Sequence, residues 1–160
     1  MSTKINYLQQ YGLTAQSRWT AYRAFGKRLF DLSVVMPIFL AISPVLLLAA
    51  ALIKLDSRGP VFFNQERLGR YGKTFLTYKF RTMTDRKRKA TDEILPGHSE
   101  VTRVGHWLRR FKIDEMPQLL NIVTGDMSLV GPRPALPEHI NEYNKDGLRR
   151  LIERPGLTGL

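Results

Sequence analysis

Two adjacent carboxylates, Asp114 and Glu115, are the first residues in this sequence that could do chemistry together. Pro117 follows them, and because proline is favoured in the first turn of a helix, the pair is predicted at or just before a helix N-terminus. Free N–H groups and a partial positive charge at that end suit a phosphate. Successive helical residues point about 100° apart, so the two carboxylates suit two tasks on one phosphate, one attacking and the other holding a metal ion. The alternative is an N-cap aspartate followed by a first-turn glutamate.

Four basic side chains could hold the oxygens of such a phosphate. Arg109 and Arg110 closely precede the carboxylates and can offer bidentate forks. Lys79 and Arg81 lie two residues apart at the end of a predicted strand. Alternation along a strand puts both on one face that could meet a diphosphate, although a solvated edge-strand face has the same pattern.

Arg133 is a further candidate because a proline lies on either side of it. The two prolines restrict the backbone, and such rigid placement is unusual for a simple surface charge. Composition excludes other kinds of chemistry: without cysteine the sequence has no disulfide scaffold, thiolate nucleophile or cysteine zinc site. The three histidines, His98, His106 and His139, show no metal-ligand spacing.

The positive charge of the chain is concentrated on both sides of one neutral segment. The net charge of +11, combined with 43% apolar residues, excludes a disordered basic tail and requires an anionic partner: nucleic acid, a membrane surface or a phosphorylated substrate. Residues 1–30 carry +5 and residues 64–89 carry +7, whereas residues 31–63 are neutral and residues 90–160 carry −1. This division favours an anionic membrane surface over nucleic acid.

The neutral segment is long and apolar enough for a membrane. Leu32–Ile53 contains 22 residues without a charge, and as a helix it would measure about 33 Å, close to the hydrocarbon core of about 30 Å. A straight span would put one basic flank on the wrong side under the positive-inside rule. Pro44 removes a helical hydrogen bond and Ser43 can bond a carbonyl one turn earlier. We therefore expect a break at Ser43 and Pro44 and a re-entrant helix; a buried core helix is the alternative.

The sequence predicts an α/β fold that is predominantly helical, with short strands. Residues 1–26 are expected as an interfacial or mobile lead-in, residues 27–56 as the membrane helix and residues 57–160 as the domain with the candidate site. Hydrophobic periodicity, turn residues and stop signals predict the remaining elements. These are strands at Val61–Phe63 and Thr74–Phe80, a surface loop at Arg86–Ser99, helices at Val104–Phe111, Pro117–Val123 and Pro137–Glu153, a helix stop at Gly125 and a non-helical elbow at Gly131–Pro134.

Several motifs occur together between residues 24 and 160. In order, they are Lys27–Asp31, the apolar run with Ser43 and Pro44, Gly59–Gly69, Lys79–Met83, Thr102–Gly105, Asp114–Glu115 with Pro117–Asn121, Gly125–Pro134 and Arg154–Gly159. With these motifs the chain resembles bacterial sugar transferases of the monotopic phosphoglycosyl transferase family, in their minimal catalytic form. Phe111 and Lys112 depart from the small hydroxyl residues usual in that family, which alters the rim of the expected pocket. The family domain continues beyond residue 160, so we expect a fragment or a natural short form.

The resemblance implies an activity and a location. The activity is transfer of a sugar-1-phosphate from a UDP-sugar to undecaprenyl phosphate, with release of UMP, as the first membrane step of bacterial glycan synthesis. The location is the cytoplasmic face of the bacterial inner membrane, with a monotopic, re-entrant helix and a catalytic domain at residues 57–160. Asp114 is the expected nucleophile, forming a covalent phosphosugar intermediate, and Glu115 the expected Mg²⁺ ligand. The side chains expected to contact the substrate phosphates are Lys79, Arg81, Arg109 and Arg133.

The expected partners follow from the same resemblance. They are a UDP-sugar, undecaprenyl phosphate and the anionic inner membrane, with no nucleic acid and with a homodimer as a further expectation. The competing hypothesis is a non-catalytic, membrane-anchored basic protein that binds anionic lipid or nucleic acid. That hypothesis accounts for the charge, but not for the pair of Asp114 and Glu115 or for the constrained Arg133.

Overall fold

The computed structural model describes residues 25–84, 100–142 and 145–159 of the chain. Nearly all of the predicted lead-in, and the predicted surface loop Arg86–Ser99, lie outside these residues. The described elements are mostly helical and include two small two-stranded sheets. This composition agrees with the predicted α/β class.

The first element, α1, is a helix of 30 residues, Lys27–Asp56. Leucine, valine, isoleucine and alanine dominate it; its most apolar window has a mean hydropathy of 2.5 and is only 11% buried. Within the described residues, it is the one helix long and apolar enough to cross a membrane. Helical structure continues through Ser43 and Pro44, so the predicted break does not divide α1 into two helices. A proline removes one N–H donor, a loss that apolar helices tolerate where neighbouring groups compensate. Re-entry stays a prediction.

A β-hairpin follows α1. Its strands are β1, Phe62–Leu68, and β2, Thr74–Phe80. The N–H of Gly69 donates to the carbonyl of Lys73 across the connection, and a connection this short joins only antiparallel strands. The structure gives β2 its predicted bounds, whereas β1 extends well beyond the predicted Val61–Phe63.

The second helix, α2, is Arg103–Arg110. It begins at Thr102, whose hydroxyl accepts a hydrogen bond from the N–H of Gly105 in the manner of an N-cap. Gly105 is required here because a Cβ at this position would lie 2.1 Å from the carbonyl oxygen of Thr82. The predicted helix Val104–Phe111 is therefore correct to within one residue at each end.

Two short elements replace the predicted helix Pro117–Val123. They are a 3₁₀ helix, Ile113–Gln118, and α3, Leu119–Thr124. The predicted stop at Gly125 is confirmed: this residue is left-handed (φ 96°), and its N–H donates to the carbonyls of Asn121 and Ile122.

A parallel strand pair closes the described chain, and sequence reasoning missed it. The strands are β3, Ser128–Gly131, and β4, Gly156–Gly159. Their backbones approach closely, because a Cβ on Gly156 would lie 2.1 Å from the nitrogen of Gly131. Local signals miss such a pair, since parallel strands are joined by a long crossover.

The predicted helix Pro137–Glu153 is wrong as one continuous element. The structure has a 3₁₀ helix, Pro137–Glu142, then α4, Lys145–Arg149, and a second 3₁₀ helix, Arg150–Ile152. Gly147 lies inside the predicted span, and an interior glycine weakens a helix by about 1 kcal/mol relative to alanine. Packing of Leu148 and Leu151 against other apolar side chains then decides the local geometry.

The described chain divides into two compact units, and the division falls inside α1 between Leu40 and Ala41. The first unit contains residues up to Leu40, residues 65–77 and residues from Gln118 onward. In this unit the Arg28 guanidinium donates to the carbonyls of Ile122 and Val123. One apolar cluster of the first unit contains Leu68, Ile140, Leu148 and Leu151.

The second unit contains residues 41–64 and 78–117. Its core joins the C-terminal half of α1 to β2 and α2 through Ala49, Ile53, Phe80 and Leu108. The Asp56 carboxylate accepts a hydrogen bond of 3.0 Å from the N–H of Val104. The candidate pair of Asp114 and Glu115 lies in this unit, as do Lys79 and Arg109.

Candidate active site

Asp114 and Glu115 lie in the first turn of the 3₁₀ helix Ile113–Gln118, as the position of Pro117 predicts. A tight turn brings them there. Lys112 is left-handed (φ 59°), and its N–H donates to the carbonyl of Arg109 at 3.2 Å. The chain therefore leaves α2 at Arg110, turns at Lys112 and begins the 3₁₀ helix at Ile113.

Asp114 is partly buried, and its Oδ1 atom is buried without a hydrogen-bond partner. Burial raises the pKa of its carboxyl group, and the neighbouring charge of Glu115 raises it further. Lys79, a backbone hydrogen bond and Arg109 act in the opposite direction. An oxygen that is desolvated but unpartnered keeps its lone pairs available, so it can attack an electrophile or bind a cation.

Lys79 supplies the positive charge beside the pair. Its ammonium group contacts the Oε1 atom of Glu115 at 2.8 Å, and both side chains are partly buried. Lys79 is the penultimate residue of β2, so the hairpin determines where this ammonium lies. The contact orients the Glu115 carboxylate and offsets part of the negative charge around Asp114.

Arg81 does not share a strand face with Lys79, although alternation along the strand predicts that it should. The strand ends at Phe80, so alternation no longer applies at Arg81, and the two basic side chains do not share one task. Arg81 is only 6% exposed, and its guanidinium donates to the carbonyls of Ser57 and Arg58 and to the Ser57 hydroxyl at 2.8–2.9 Å. These oxygens follow the C-terminus of α1, where a cation is stabilised by the helix dipole. Arg81 therefore holds the end of α1 to the hairpin, and phosphate contact by Arg81 stays a prediction.

Arg109 is oriented by a residue that sequence reasoning missed. Its Nε–H donates to the hydroxyl of Thr82 at 2.9 Å. Thr82 is buried, and its carbonyl accepts the N–H of Thr102 just before α2. The signal that could have found Thr82 is its place in the Lys79–Met83 motif, next to two basic residues already singled out.

Arg133 belongs to the first compact unit, and its side chain is exposed. The carbonyl of Pro132 accepts a hydrogen bond of 2.9 Å from Gly156, which fixes the elbow to β4. A shallow surface depression lies beside it, and its wall includes Arg150 and Glu153. Arg133 is thus placed by a strand pair that the sequence did not predict.

Asp114 and Glu115 fit a magnesium ion. Among the described residues, no group of three or more histidine, cysteine, aspartate or glutamate side chains converges on one point. Magnesium at phosphate-transfer sites takes one or two carboxylates and fills its remaining positions with water and substrate phosphate. The unpartnered Oδ1 atom of Asp114 and the adjacent Glu115 carboxylate supply that donor set.

Comparison with known proteins gives the family. The family model described as bacterial sugar transferase matches residues 22–160. The chain is 44% identical over 133 residues to the uncharacterised sugar transferase EpsL of Bacillus subtilis, covering 83% of this chain and 65% of that protein.

Two further relatives carry names that state a reaction. A UDP-glucose:undecaprenyl-phosphate glucose-1-phosphate transferase of Caulobacter vibrioides is 45% identical over 138 residues, covering 84% of this chain and 52% of that protein. A UDP-N-acetylgalactosamine-undecaprenyl-phosphate N-acetylgalactosaminephosphotransferase of Aeromonas hydrophila is 38% identical over 163 residues, covering 98% and 38%. The chain thus spans about two thirds or less of the length of these relatives. On the extent of the family match and these identities, the chain belongs to the bacterial sugar transferase family.

Proposed function

We propose that this protein transfers a sugar-1-phosphate from a UDP-sugar to undecaprenyl phosphate, releasing UMP, as the first membrane step of bacterial glycan synthesis. The observation that carries the proposal is the buried, unpartnered Oδ1 atom of Asp114, with Lys79, Glu115 and Arg109 around the same carboxylate. The names of the relatives support the two substrates. Those names differ in the sugar, so the proposal extends to the class of UDP-sugars.

The chemistry proceeds in two displacements at one phosphorus atom. The Asp114 carboxylate attacks the phosphorus that carries the sugar, an aspartyl–phosphate bond forms, and the bond to the UMP oxygen breaks with its electron pair leaving on UMP. A phosphate oxygen of undecaprenyl phosphate then attacks the same phosphorus. The aspartyl–phosphate bond breaks, the carboxylate is regenerated, and the product is a sugar linked to undecaprenyl through a diphosphate.

Positive charge is needed because an anionic carboxylate must approach an anionic diphosphate. Lys79 and Arg109 both lower the pKa of Asp114, so both act on the charge of the attacking group. Arg109, with one nitrogen held by Thr82, keeps its other donors for phosphate oxygens. Glu115, with Asp114, would hold Mg²⁺, which neutralises diphosphate charge when it is bound.

We propose that α1 is re-entrant and that the protein is monotopic at the cytoplasmic face. The N-terminal part of α1 bonds Ile122 through Arg28, and its C-terminal part shares a core with Leu108. The chain from Leu108 to Ile122 is short and carries five charged residues. Five charged side chains make this stretch too costly to place across a hydrocarbon core, which supports the proposal that both ends of α1 lie on the same side of a membrane.

Labelling tests the topology, and the absence of native cysteine makes single cysteines clean reporters. Phe25→Cys and Asn64→Cys lie on either side of α1, and both side chains are exposed. Both are expected to react with an impermeant maleimide only when the cytoplasmic face is accessible. Labelling of either residue from the outer face would contradict re-entry.

The reaction is tested by UMP release from a UDP-sugar panel with undecaprenyl phosphate and Mg²⁺. Asp114→Asn is expected to reduce the rate by on the order of 10⁴-fold or more, as removal of a nucleophile does. Without acceptor, the wild-type protein should retain a radiolabelled phosphosugar that Asp114→Asn does not retain. Equal UMP release from the two proteins would refute the nucleophile and leave the basic lipid-binding or nucleic-acid-binding protein as the better hypothesis.

A further inference from the structure

The outer face of α2 exposes two stacked aromatic rings. Trp107 and Phe111 are each 57% exposed, and their ring centroids lie 5.9 Å apart with nearly parallel planes. The Arg110 guanidinium lies 5.7 Å from the Trp107 ring centroid. We call these three residues, together with Arg103 and Lys112, the α2 aromatic face. Because the two exposed rings lie against each other, they form contiguous apolar surface, which is a feature of interaction sites.

The charge around the rings has a single sign. Helix α2 contains no acidic residue, and Arg103, Arg110 and Lys112 are all exposed. On the opposite side of the helix, Gly105 and Leu108 are buried. Aromatic rings between lysine and arginine side chains are the pattern of segments that lie in the interface of an anionic bilayer.

The position of α2 places this face beside the end of the apolar helix. Leu108 and Val104 share a core with Ala49 and Ile53 of α1, and the N–H of Val104 bonds the Asp56 carboxylate. Ile53 is the last residue of the uncharged run. Helix α2 therefore packs along the turns where α1 changes from apolar to charged, which is the depth of the headgroups for a membrane-inserted α1.

We propose that the α2 aromatic face docks into the headgroup region of the anionic bilayer that holds α1. The inference rests on the membrane placement of α1 in the proposed function. Trp107 and Phe111 enter the interface, and the three cations contact lipid phosphates. Because Asp114 follows Phe111 closely in the chain, this contact holds the carboxylate at the level where the phosphate of a lipid-linked acceptor lies.

Tryptophan fluorescence tests this contact without an activity measurement. Trp19→Phe leaves Trp107 as the sole tryptophan of the chain. The protein is reconstituted in vesicles of phosphatidylglycerol and phosphatidylcholine with bromine either near the headgroup or near the chain end. Trp107 emission is expected to be quenched more than about twofold by the headgroup-proximal bromine and much less by the distal one, as for an interfacial ring. If neither brominated lipid quenches Trp107, the proposal is overturned. If the emission is also blue-shifted, the ring is covered by protein and not by lipid.

A second tryptophan position separates this inference from the proposed function. In a chain with Trp19→Phe and Trp107→Phe, the variant Leu47→Trp places the reporter on an exposed position of the apolar run. This reporter is expected to be quenched best by the distal bromine. Quenching of Leu47→Trp together with an unquenched Trp107 overturns the docking face alone. Failure of both reporters overturns the membrane placement and the docking face with it.

The matched pair Phe111→Ser and Phe111→Leu tests the role of apolar contact while keeping Trp107 as reporter. Phe111 is largely exposed, so neither change is expected to unfold the protein, and thermal unfolding checks this. Phe111→Ser should reduce headgroup-proximal quenching of Trp107, whereas Phe111→Leu should retain it. Equal quenching in both variants contradicts a joint aromatic contact with lipid.

Discussion

Two aspartates of this protein occupy contrasting environments. Asp31, in α1, is 2% exposed and accepts hydrogen bonds from the Ser128 hydroxyl at 2.8 Å and from the N–H of Leu129 at 3.2 Å. Asp114 is partly buried and leaves the Oδ1 atom unpartnered. A carboxylate whose oxygens are used by the fold contributes to stability, and one whose oxygen is desolvated without a partner is available for chemistry.

The contrast explains why burial alone does not identify a reactive residue. Asp31 is the more buried of the two, yet its bonds attach the N-terminal part of α1 to β3. The Asp114 carboxyl group has a backbone hydrogen bond, but its Oδ1 atom has no partner, and burial together with Glu115 raises the pKa of this group. The protein thus places a carboxyl group whose ionisation is disfavoured by burial at the position of the proposed nucleophile.

Among the residues around Asp114, the largest effect is expected at the lysine that offsets this charge. Lys79→Met removes the ammonium beside Asp114 and Glu115, and we expect a loss of UMP release of about 10²–10³-fold, as for removal of one electrostatic stabiliser. Lys79→Arg retains the charge and is the matched control, with a smaller loss. Equal activity of the methionine variant and the wild-type protein would contradict an electrostatic role for Lys79.

The second effect concerns Asp31 and stability. Asp31→Ala leaves the Ser128 hydroxyl and the Leu129 N–H without their acceptor, which should lower the free energy of unfolding by about 2 kcal/mol. Ser33→Ala, at an exposed position two residues along the helix, should change stability by less than about 0.5 kcal/mol. Thermal unfolding in detergent measures both. Activity per folded molecule is compared in Asp31→Ala and Asp114→Asn. An equally large loss in both variants would contradict a purely structural role for Asp31.

A third, smaller effect is expected at Thr82. Thr82→Val removes the acceptor that holds Arg109, and loss of one hydrogen bond to a charged group corresponds to a fall of about tenfold in kcat/KM. Thr82→Ser keeps the hydroxyl and should restore most of this loss. A fall in both variants, accompanied by a lower melting temperature, would mean that Thr82 acts through packing and not through Arg109.

The smallest effect is the pH dependence of stability at Asp114. A carboxyl group whose pKa is raised in the folded state favours folding when it is protonated, and this contribution is lost as the pH rises through the folded pKa. Asp114→Asn, which cannot ionise, should therefore melt at a higher temperature than the wild-type protein at neutral pH. The difference should shrink as the pH falls below the folded pKa. Melting curves between acidic and neutral pH measure it, and a gain that does not depend on pH would exclude a charge effect.

Local signals in the sequence predicted the elements that depend on nearby residues. Strand β2 has its predicted bounds, α2 is shifted by one residue, and the helix stop at Gly125 is correct. Each depends on a cap, a turn or a hydrophobic period within a few residues. The continuous helix predicted over Pro137–Glu153 failed because contacts of Leu148 and Leu151 with Leu68, distant in sequence, decide that segment.

For the candidate site, the sequence alone determined the pairing of Asp114 with Glu115, their position at a helix start and the apolar run of α1, because each follows from adjacent residues. Tertiary structure decided which partners the basic residues have. Lys79 forms an ion pair with Glu115, and the Arg81 guanidinium donates to the carbonyls that follow α1. The hydroxyl of Thr82 orients Arg109. Side-chain types state which bonds are available, but only folding brings a specific donor and acceptor within about 3 Å of each other.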